Sequence, residues 1–431
     1  MKRLPEPPAG AAHLAPACPA WGALAIGHSR ALPFLYREGY VTPRMRLDLF
    51  TPMRIVQLLP SLDIGGMERL AVDLACRQKY EGHQPAIFCT SHAGQLAPEA
   101  EAAGIPVRAF GKRPGLSLRL IAELARELRE RRVDVLHAHN ALVLHYGIAA
   151  ARLAGVPVVV NTRHGGNMNW DPHCERIWRR AVPWANAVVF ISEGVREYYV
   201  VKDKLSSRNI RVIYNGIDLD KFAARPRSAS DLPFRFGAVG RLVPAKDHVT
   251  LVKAFALAAA QLPKAELHLL GEGPCRTVIA ETAAALGVQD RVVLHGASRD
   301  VAGFLSTLDL FVLSSIDEGL PISLMEALAA GLPVVSTLLP GLRELAPENV
   351  VAGYCYPGQP DSLADLMLRA ARRPDLAALG EAARHWARRF GINETWHEYR
   401  SLFQEALQRK DSGSWRRPKK SDMSVGGQEP A

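Results

Sequence analysis

At 431 residues the chain is longer than one ordinary hydrophobic core organises, so two domains are expected. Although 48% of the residues are apolar, no run is long enough to cross a bilayer, which predicts a soluble protein. Lysine and arginine outnumber aspartate and glutamate by 53 to 43; residues 53–213 carry seven more basic than acidic side chains and residues 214–408 three fewer, and no nucleic-acid module accompanies the excess, so it points to an anionic membrane surface or an anionic acceptor.

Residues 1–52 are rich in Pro and Ala and lack sustained periodicity, and are expected to be a disordered or spurious extension. Lys2-Arg3 ahead of the apolar stretch 14–27 faintly resembles a secretory leader, but Pro16 and Pro19 interrupt it. The cysteine-poor body also argues against export. Cys18, Cys76, Cys89, Cys174, Cys275 and Cys355 are scattered without metal-ligand spacing, which fits reduced packing residues in a cytosol. From Met53 the pattern alternates: apolar runs at 54–59, 85–90, 105–110, 133–138, 157–161, 186–191 and 210–213 are separated by helical stretches, which predicts a parallel sheet covered on both faces. Asn215-Gly216 marks a turn and 222–233 a linker. Alternation restarts at 234–240 and continues through 265–270, 291–294, 309–313 and 333–336. Helices are predicted over 361–373, 375–389 and 393–409, the last with Trp396, Tyr399, Phe403 and Leu407 on one face, an apolar stripe expected to pack on the first domain. The division is therefore 53–213, a first domain; 214–392, a second domain; 393–410, a returning helix; and 411–431, a disordered basic tail.

The chemistry-bearing residues cluster where strands end. Ser314-Ser315-Ile316-Asp317-Glu318-Gly319-Leu320-Pro321 follows the run 309–313 and leads into a helix carrying Glu326. In open α/β sheets that crevice binds ligands, and the helix start near 321–324 offers backbone N–H groups to an anion. Two carboxylates beside an anion site suit a ligand with both hydroxyls and phosphates. Gly240-Arg241 with Lys246 opens the second domain after its first strand, where a guanidinium fork and an ammonium can converge on a diphosphate. Gly65-Gly66 links the first strand to the first helix and permits close backbone approach. His137 and His139 end the fourth strand on the same side; no third ligand stands at metal spacing, so His139 is read as a hydrogen-bonding group for a sugar hydroxyl and His137 as structural. Asn161-Thr162-Arg163-His164-Gly165-Gly166-Asn167 follows the fifth strand and either lines the acceptor side or is a polar loop. Gly271-Glu272-Gly273-Pro274 and His295-Gly296-Ala297-Ser298 are further turns at the same edge, placed to pass near a nucleobase or to serve as plain turns. Asp218-Leu219-Asp220 matches a metal-binding pattern of sugar transferases, but its place at the interdomain connection reads as turn and capping chemistry.

Together these stretches resemble the retaining glycosyltransferases of GT-B architecture, family 4 or glycosyl transferases group 1. The likeness covers about 53–408. Its most specific part is Glu318-Gly319-Leu320-Pro321 with Glu326; Gly240-Arg241 with Lys246, Gly271-Glu272-Gly273-Pro274, Gly65-Gly66 and Asn215-Gly216-Ile217-Asp218 add independent matches. Two features depart from it: Leu320 stands where many members have Phe, and Leu339-Pro340-Gly341-Leu342 replaces a Gly-Gly segment before Arg343-Glu344.

The resemblance implies two Rossmann-like doubly wound α/β domains facing a cleft, with the C-terminal helix returning to the first. It implies a catalytic set of Arg241, Lys246, Glu318 and His139. Donor contacts would come from Gly66, Gly319, Leu320, Pro321, Ser323, Leu324 and Glu326, the last on ribose hydroxyls, and Gly65, His164 and Asn167 would face the acceptor. A UDP- or GDP-sugar is the expected donor and a glycan or lipid-linked alcohol the acceptor, with no metal or other cofactor and no nucleic acid. The protein would be cytoplasmic and could touch an anionic membrane. A nucleotide-sugar epimerase of the same fold and a non-catalytic nucleotide-sugar-binding protein are the rival readings.

Overall fold

The computed structural model describes residues 51–165, 172–202, 205, 209–222 and 233–411. In the first half, β1 (Arg54–Leu59), β2 (Gln84–Cys89), β3 (Val107–Ala109), β4 (Val135–His139), β5 (Val158–Arg163), β6 (Ala187–Phe190) and β7 (Ile210–Val212) form one sheet in the order β3-β2-β1-β4-β5-β6-β7. Every pairing in it is parallel. Val, Ile and Leu dominate because helices cover both faces, and β1, β4 and β5 are buried along nearly their whole length.

The second sheet repeats the plan with β8 (Arg235–Val239), β9 (Glu266–Leu270), β10 (Val292–Gly296), β11 (Leu310–Leu313), β12 (Val334–Thr337) and β13 (Gly353–Cys355), ordered β10-β9-β8-β11-β12-β13 and again parallel. Each sheet therefore reverses its winding once, between β1 and β4 and between β8 and β11. At such switch points the loops leaving the strand ends diverge and open a crevice. β13 is absent from the sequence reading because its three residues form no apolar run: Gly353 begins it at φ 156°, and only Cys355 is fully buried. The expected strand over 105–110 shortens to β3, which pairs with β2 from Val107 to Ala109, because Ile105 N–H still closes onto Ala100 O of the preceding helix.

Both lobes lie in one compact unit that starts at Pro52. The chain leaves the first lobe at Ile217 and comes back at Gly391, and the two crossings pair through Ile217 N–H to Phe390 O (2.9 Å) and Ile392 N–H to Ile217 O (2.9 Å). The final helix, Ile392–Asp411, then lays Trp396, Tyr399, Leu402 and Phe403 against Met53, Ile55, Leu70, Val135 and Val158 of the first lobe. Trp396 Nε1 and Arg400 Nη1 both donate to Glu81, at 2.7 and 2.8 Å. The expected apolar stripe is thus buried on the first sheet. Among the described residues no helix is long and apolar enough to cross a membrane.

Candidate active site

The two loops at the second switch point are stitched together by their backbones. After β8, the turn Pro244–Lys246 is held by Ile316 N–H donating to Ala245 O (2.8 Å) and Ser314 Oγ donating to Lys246 O (2.9 Å). This brings the Lys246 ammonium into an ion pair with Glu318, whose carboxylate also accepts from Ser315 Oγ at 2.7 Å. Arg241, five residues before Lys246, is exposed and lies near enough to Glu68 of the first lobe to pull that carboxyl's pKa down. Burial, the larger influence, still holds Glu68 above the ordinary carboxylate range. Gly271-Glu272-Gly273-Pro274 packs underneath: Gly271 has φ 150°, and a Cβ there would stand 1.9 Å from Gly240 O, so only glycine lets this turn support the Arg241 loop.

Gly319 is where the lobes meet. A Cβ on it would stand 2.6 Å from His164 O and 2.8 Å from Gly165 Cα, both backbone atoms of the first lobe. Leu320 and Leu324 are buried in the core, as is most of Pro321, so any donor contact from these positions falls to their backbone. The expectation of free N–H groups across 321–324 narrows, because Pro321 has none and Leu324 N–H closes onto Pro321 O (3.1 Å). The donors left at this helix start are those of Ile322 and Ser323. Gly66 of the first lobe lies directly against Ile322. Gly65 is the extended residue before the helix Gly66–Tyr80, with the Glu68 carboxylate folded back beside it.

Glu326, on the helix Ile322–Ala329, turns toward a charged seam. Its carboxyl is pushed up to about 7, by burial first and then by Asp73, against the opposing pull of Arg69 and Lys221. Arg69 in turn holds Glu99 bidentately, at 2.5 and 2.7 Å, and Lys221 lies 3.7 Å from Asp73 and 3.4 Å from Asp218. Asp218 also accepts from Asp220 N–H at 3.3 Å, which is turn chemistry, and among the described residues no group of three His, Cys, Asp or Glu is placed to hold a metal. Sequence reasoning missed this seam because its members are spread over three separate elements.

In the first lobe His137, His139 and His164 lie ring against ring, with centroids 4.2 and 5.1 Å apart. Burial holds all three pKa values down, His139 to about 3, so the imidazoles are neutral. His137 Nε2 meets Thr162 Oγ1 at 2.7 Å, a structural contact. His139 differs from the role expected of it: it is fully buried, and its two nitrogens are already engaged, Nε2 with Gln57 Oε1 (2.8 Å) and Nδ1 with His164 Nε2 (2.9 Å). Asn140 carries φ 66° without being glycine and fixes His164 by accepting its backbone N–H at 2.9 Å. The signal for Gln57 was present in the sequence as the one polar residue inside an apolar strand. Asn167 lies outside the described residues.

On the far side of the seam, the Glu344 carboxylate accepts from Glu193 N–H (3.3 Å), Gly194 N–H (3.2 Å) and Tyr214 OH (3.0 Å), tying the second lobe to the first. Arg299 Nη2 donates across to Gln95 O at 2.9 Å.

Residues 64–221 match the model of Glycosyltransferase Family 4, and residues 221–386 match that of Glycosyl transferases group 1. Over 245 residues the chain is 26% identical to the UDP-Gal:alpha-D-GlcNAc-diphosphoundecaprenol alpha-1,3-galactosyltransferase of Escherichia coli, covering 52% of this chain and 62% of that protein. Over 291 residues it is 28% identical to a GDP-mannose-dependent alpha-(1-6)-phosphatidylinositol monomannoside mannosyltransferase of Mycobacterium tuberculosis, covering 60% and 74%. Its fold matches that of Anabaena HepE solved in complex with UDP, with a TM-score of 0.71 at 23% identity over 82% of this chain and all of that one. Two matched models that divide at residue 221, and two doubly wound lobes that meet across Gly319, make this chain a member of the group 1 GT-B glycosyltransferases.

Proposed function

We propose that the protein transfers a sugar from a nucleoside diphosphate donor to an acceptor hydroxyl with the anomeric configuration retained, in the assembly of an exopolysaccharide, lipopolysaccharide or lipid-linked glycan. The observation that carries this reading is the convergence of Arg241, the Lys246–Glu318 pair and the Ile322–Ala329 helix start on the seam that Gly66 and His164 close from the other lobe. Relatives named for UDP-galactose and GDP-mannose support a nucleotide-sugar donor. Relatives named for a diphosphoundecaprenol and a phosphatidylinositol acceptor support a lipid-linked alcohol, to which the basic first lobe would come at a cytoplasmic anionic membrane face.

As the glycosidic bond lengthens, negative charge collects on the departing diphosphate and the sugar becomes oxocarbenium-like. Arg241, Lys246 and the N–H groups of Ile322 and Ser323 form a preorganised positive field for that charge. Lys246 must then be shared between Glu318 and the diphosphate. Glu318 and the backbone at Gly319 would meet the donor sugar, and Glu326 the ribose hydroxyls. The acceptor would enter from the first lobe past Gly65 and His164, attack on the leaving-group face, and give its proton to a diphosphate oxygen. This field needs no metal, and closure of the lobes limits hydrolysis. A screen of UDP- and GDP-sugars by thermal shift, followed by NMR of the anomeric proton in the product, tests the reading. An inverted product would end the retaining assignment, and absence of turnover with every donor and a broad acceptor panel would end the transferase assignment.

A further inference from the structure

Four side chains in the first lobe form a continuous hydrogen-bonded line. Gln57 Nε2 donates to Gln78 Oε1 at 3.3 Å, an arrangement that turns the Gln57 oxygen toward His139. That oxygen only accepts, so His139 must carry its proton on Nε2, 2.8 Å away. A neutral imidazole protonated on Nε2 has its lone pair on Nδ1, and Nδ1 lies 2.9 Å from His164 Nε2. His164 must therefore donate from Nε2, and its own lone pair falls on Nδ1. His164 Nδ1 is buried and has no hydrogen-bond partner among the described residues. The carbonyl of the same residue lies against the Gly319 position, beside Glu318.

We infer that Gln57 sets the tautomer of His164 through His139, so that His164 Nδ1 is held as a hydrogen-bond acceptor for a hydroxyl of a sugar substrate at the seam. Gln57 and His139 are positioning residues in this arrangement; His164 is the group that meets the hydroxyl. A buried acceptor without a partner, on the residue whose carbonyl meets the other lobe, is satisfied by an O–H and left unsatisfied by a carbonyl or a phosphate oxygen. The line also pairs both ends of the buried Gln57 amide, which stands inside an apolar strand where an unpaired amide is unfavourable. The inference rests on the transferase reading for the identity of the hydroxyl but not for the tautomer.

The test uses the full chain labelled with ¹⁵N at histidine. Long-range ¹⁵N–¹H spectra of the ligand-free protein are expected to show both His139 and His164 protonated on Nε2. A His164 proton on Nδ1, the pattern produced if both glutamine amides were rotated, overturns the inference. Gln57→Glu keeps an accepting oxygen toward His139 and gives the unpartnered Gln78 Nε2 a place to donate, so it is expected to preserve the tautomer and most of kcat. Gln57→Met removes the acceptor and is expected to mix the tautomers and lower kcat by at least about tenfold, with affinity for UDP unchanged. Equal losses in the two variants, or a loss of UDP affinity that tracks the loss of kcat, would mark a purely structural role. If Gln57→Met does not fold, the wild-type and Gln57→Glu spectra still decide the tautomer. The source of the hydroxyl is read from kinetics with UDP-glucose as probe: slowed acceptor-free hydrolysis in Gln57→Met assigns it to the donor sugar, and unchanged hydrolysis with slowed transfer assigns it to the acceptor. If UDP-glucose and the other nucleotide sugars give no turnover while the Nε2 tautomers are observed, the transferase reading fails and the relay stands.

Discussion

Arg241 stands exposed at the end of β8, while Lys246 is tied to Glu318, so the two cations would meet a diphosphate on different terms. Arg241 makes no ion pair among the described residues, so it can swing onto the leaving group without giving one up. Arg241→Ala is therefore expected to cost about 3 kcal/mol of barrier, on the order of a hundredfold in kcat, with the protein's melting temperature unchanged. Lys246 has to leave a carboxylate. Glu318→Gln removes that competitor, and calorimetry should find UDP bound more tightly than by the wild type while transfer falls; weaker UDP binding would contradict the sharing of Lys246. Glu326 carries the pH dependence. Its pKa is raised from 4.5 to about 7, so the folded protein keeps a proton that the unfolded chain releases over that range. The stability this group contributes is complete below pH 4.5 and is lost as pH rises through about 7. Glu326→Gln should therefore flatten the fall in melting temperature between about pH 5 and about pH 8, and an unaltered slope would show that the carboxyl titrates normally.

At the scale of elements, closure depends on backbone meeting backbone. The loop after β11 approaches the loop after β5 at Gly319, where a methyl group would come within 2.6 Å of a carbonyl oxygen that no rotamer change can move. Gly319→Ala is expected to hold the lobes apart: kcat should fall by at least about tenfold, small-angle scattering should show a larger radius of gyration, and each lobe should retain its own fold. The Glu344 contacts to Gly194 and Tyr214 would then be stretched as well, since they cross the same seam. Much of this was legible from pattern alone. Apolar runs bounded by Gly and Pro marked twelve of the thirteen strands, because a strand covered on both faces has to be apolar along its length. β13 escaped for the same reason in reverse, being too short to form a run. His139 is read from the sequence as a hydrogen-bonding group for a sugar hydroxyl because strand alternation tells which residues share a face but not which nitrogens other side chains already hold; Gln57 and His164 hold both.

For the molecule as a whole, the returning helix binds the second half of the chain to the first. Trp396 is fully buried against β1 and β4 residues, and its indole N–H is held by Glu81. Trp396→Ala should cost about 3–5 kcal/mol, a large share of the stability of an ordinary domain, and lower the unfolding midpoint in urea accordingly. A shift below about 1 kcal/mol would show that the helix is dispensable to the first lobe.

The sequence by itself determined the two alternating lobes, the helix that returns, the carboxylates at 318 and 326, and the cations at 241 and 246, because hydrophobic period, glycine placement and charge at strand ends are local properties of the chain. Only the tertiary structure decided which of these groups touch. The Lys246–Glu318 pair, the Glu326 seam with Asp73 and Arg69, and the line from Gln78 to His164 join residues dozens to hundreds of positions apart, which meet only because parallel strands distant in the sequence lie side by side in each sheet and the two lobes meet at Gly319.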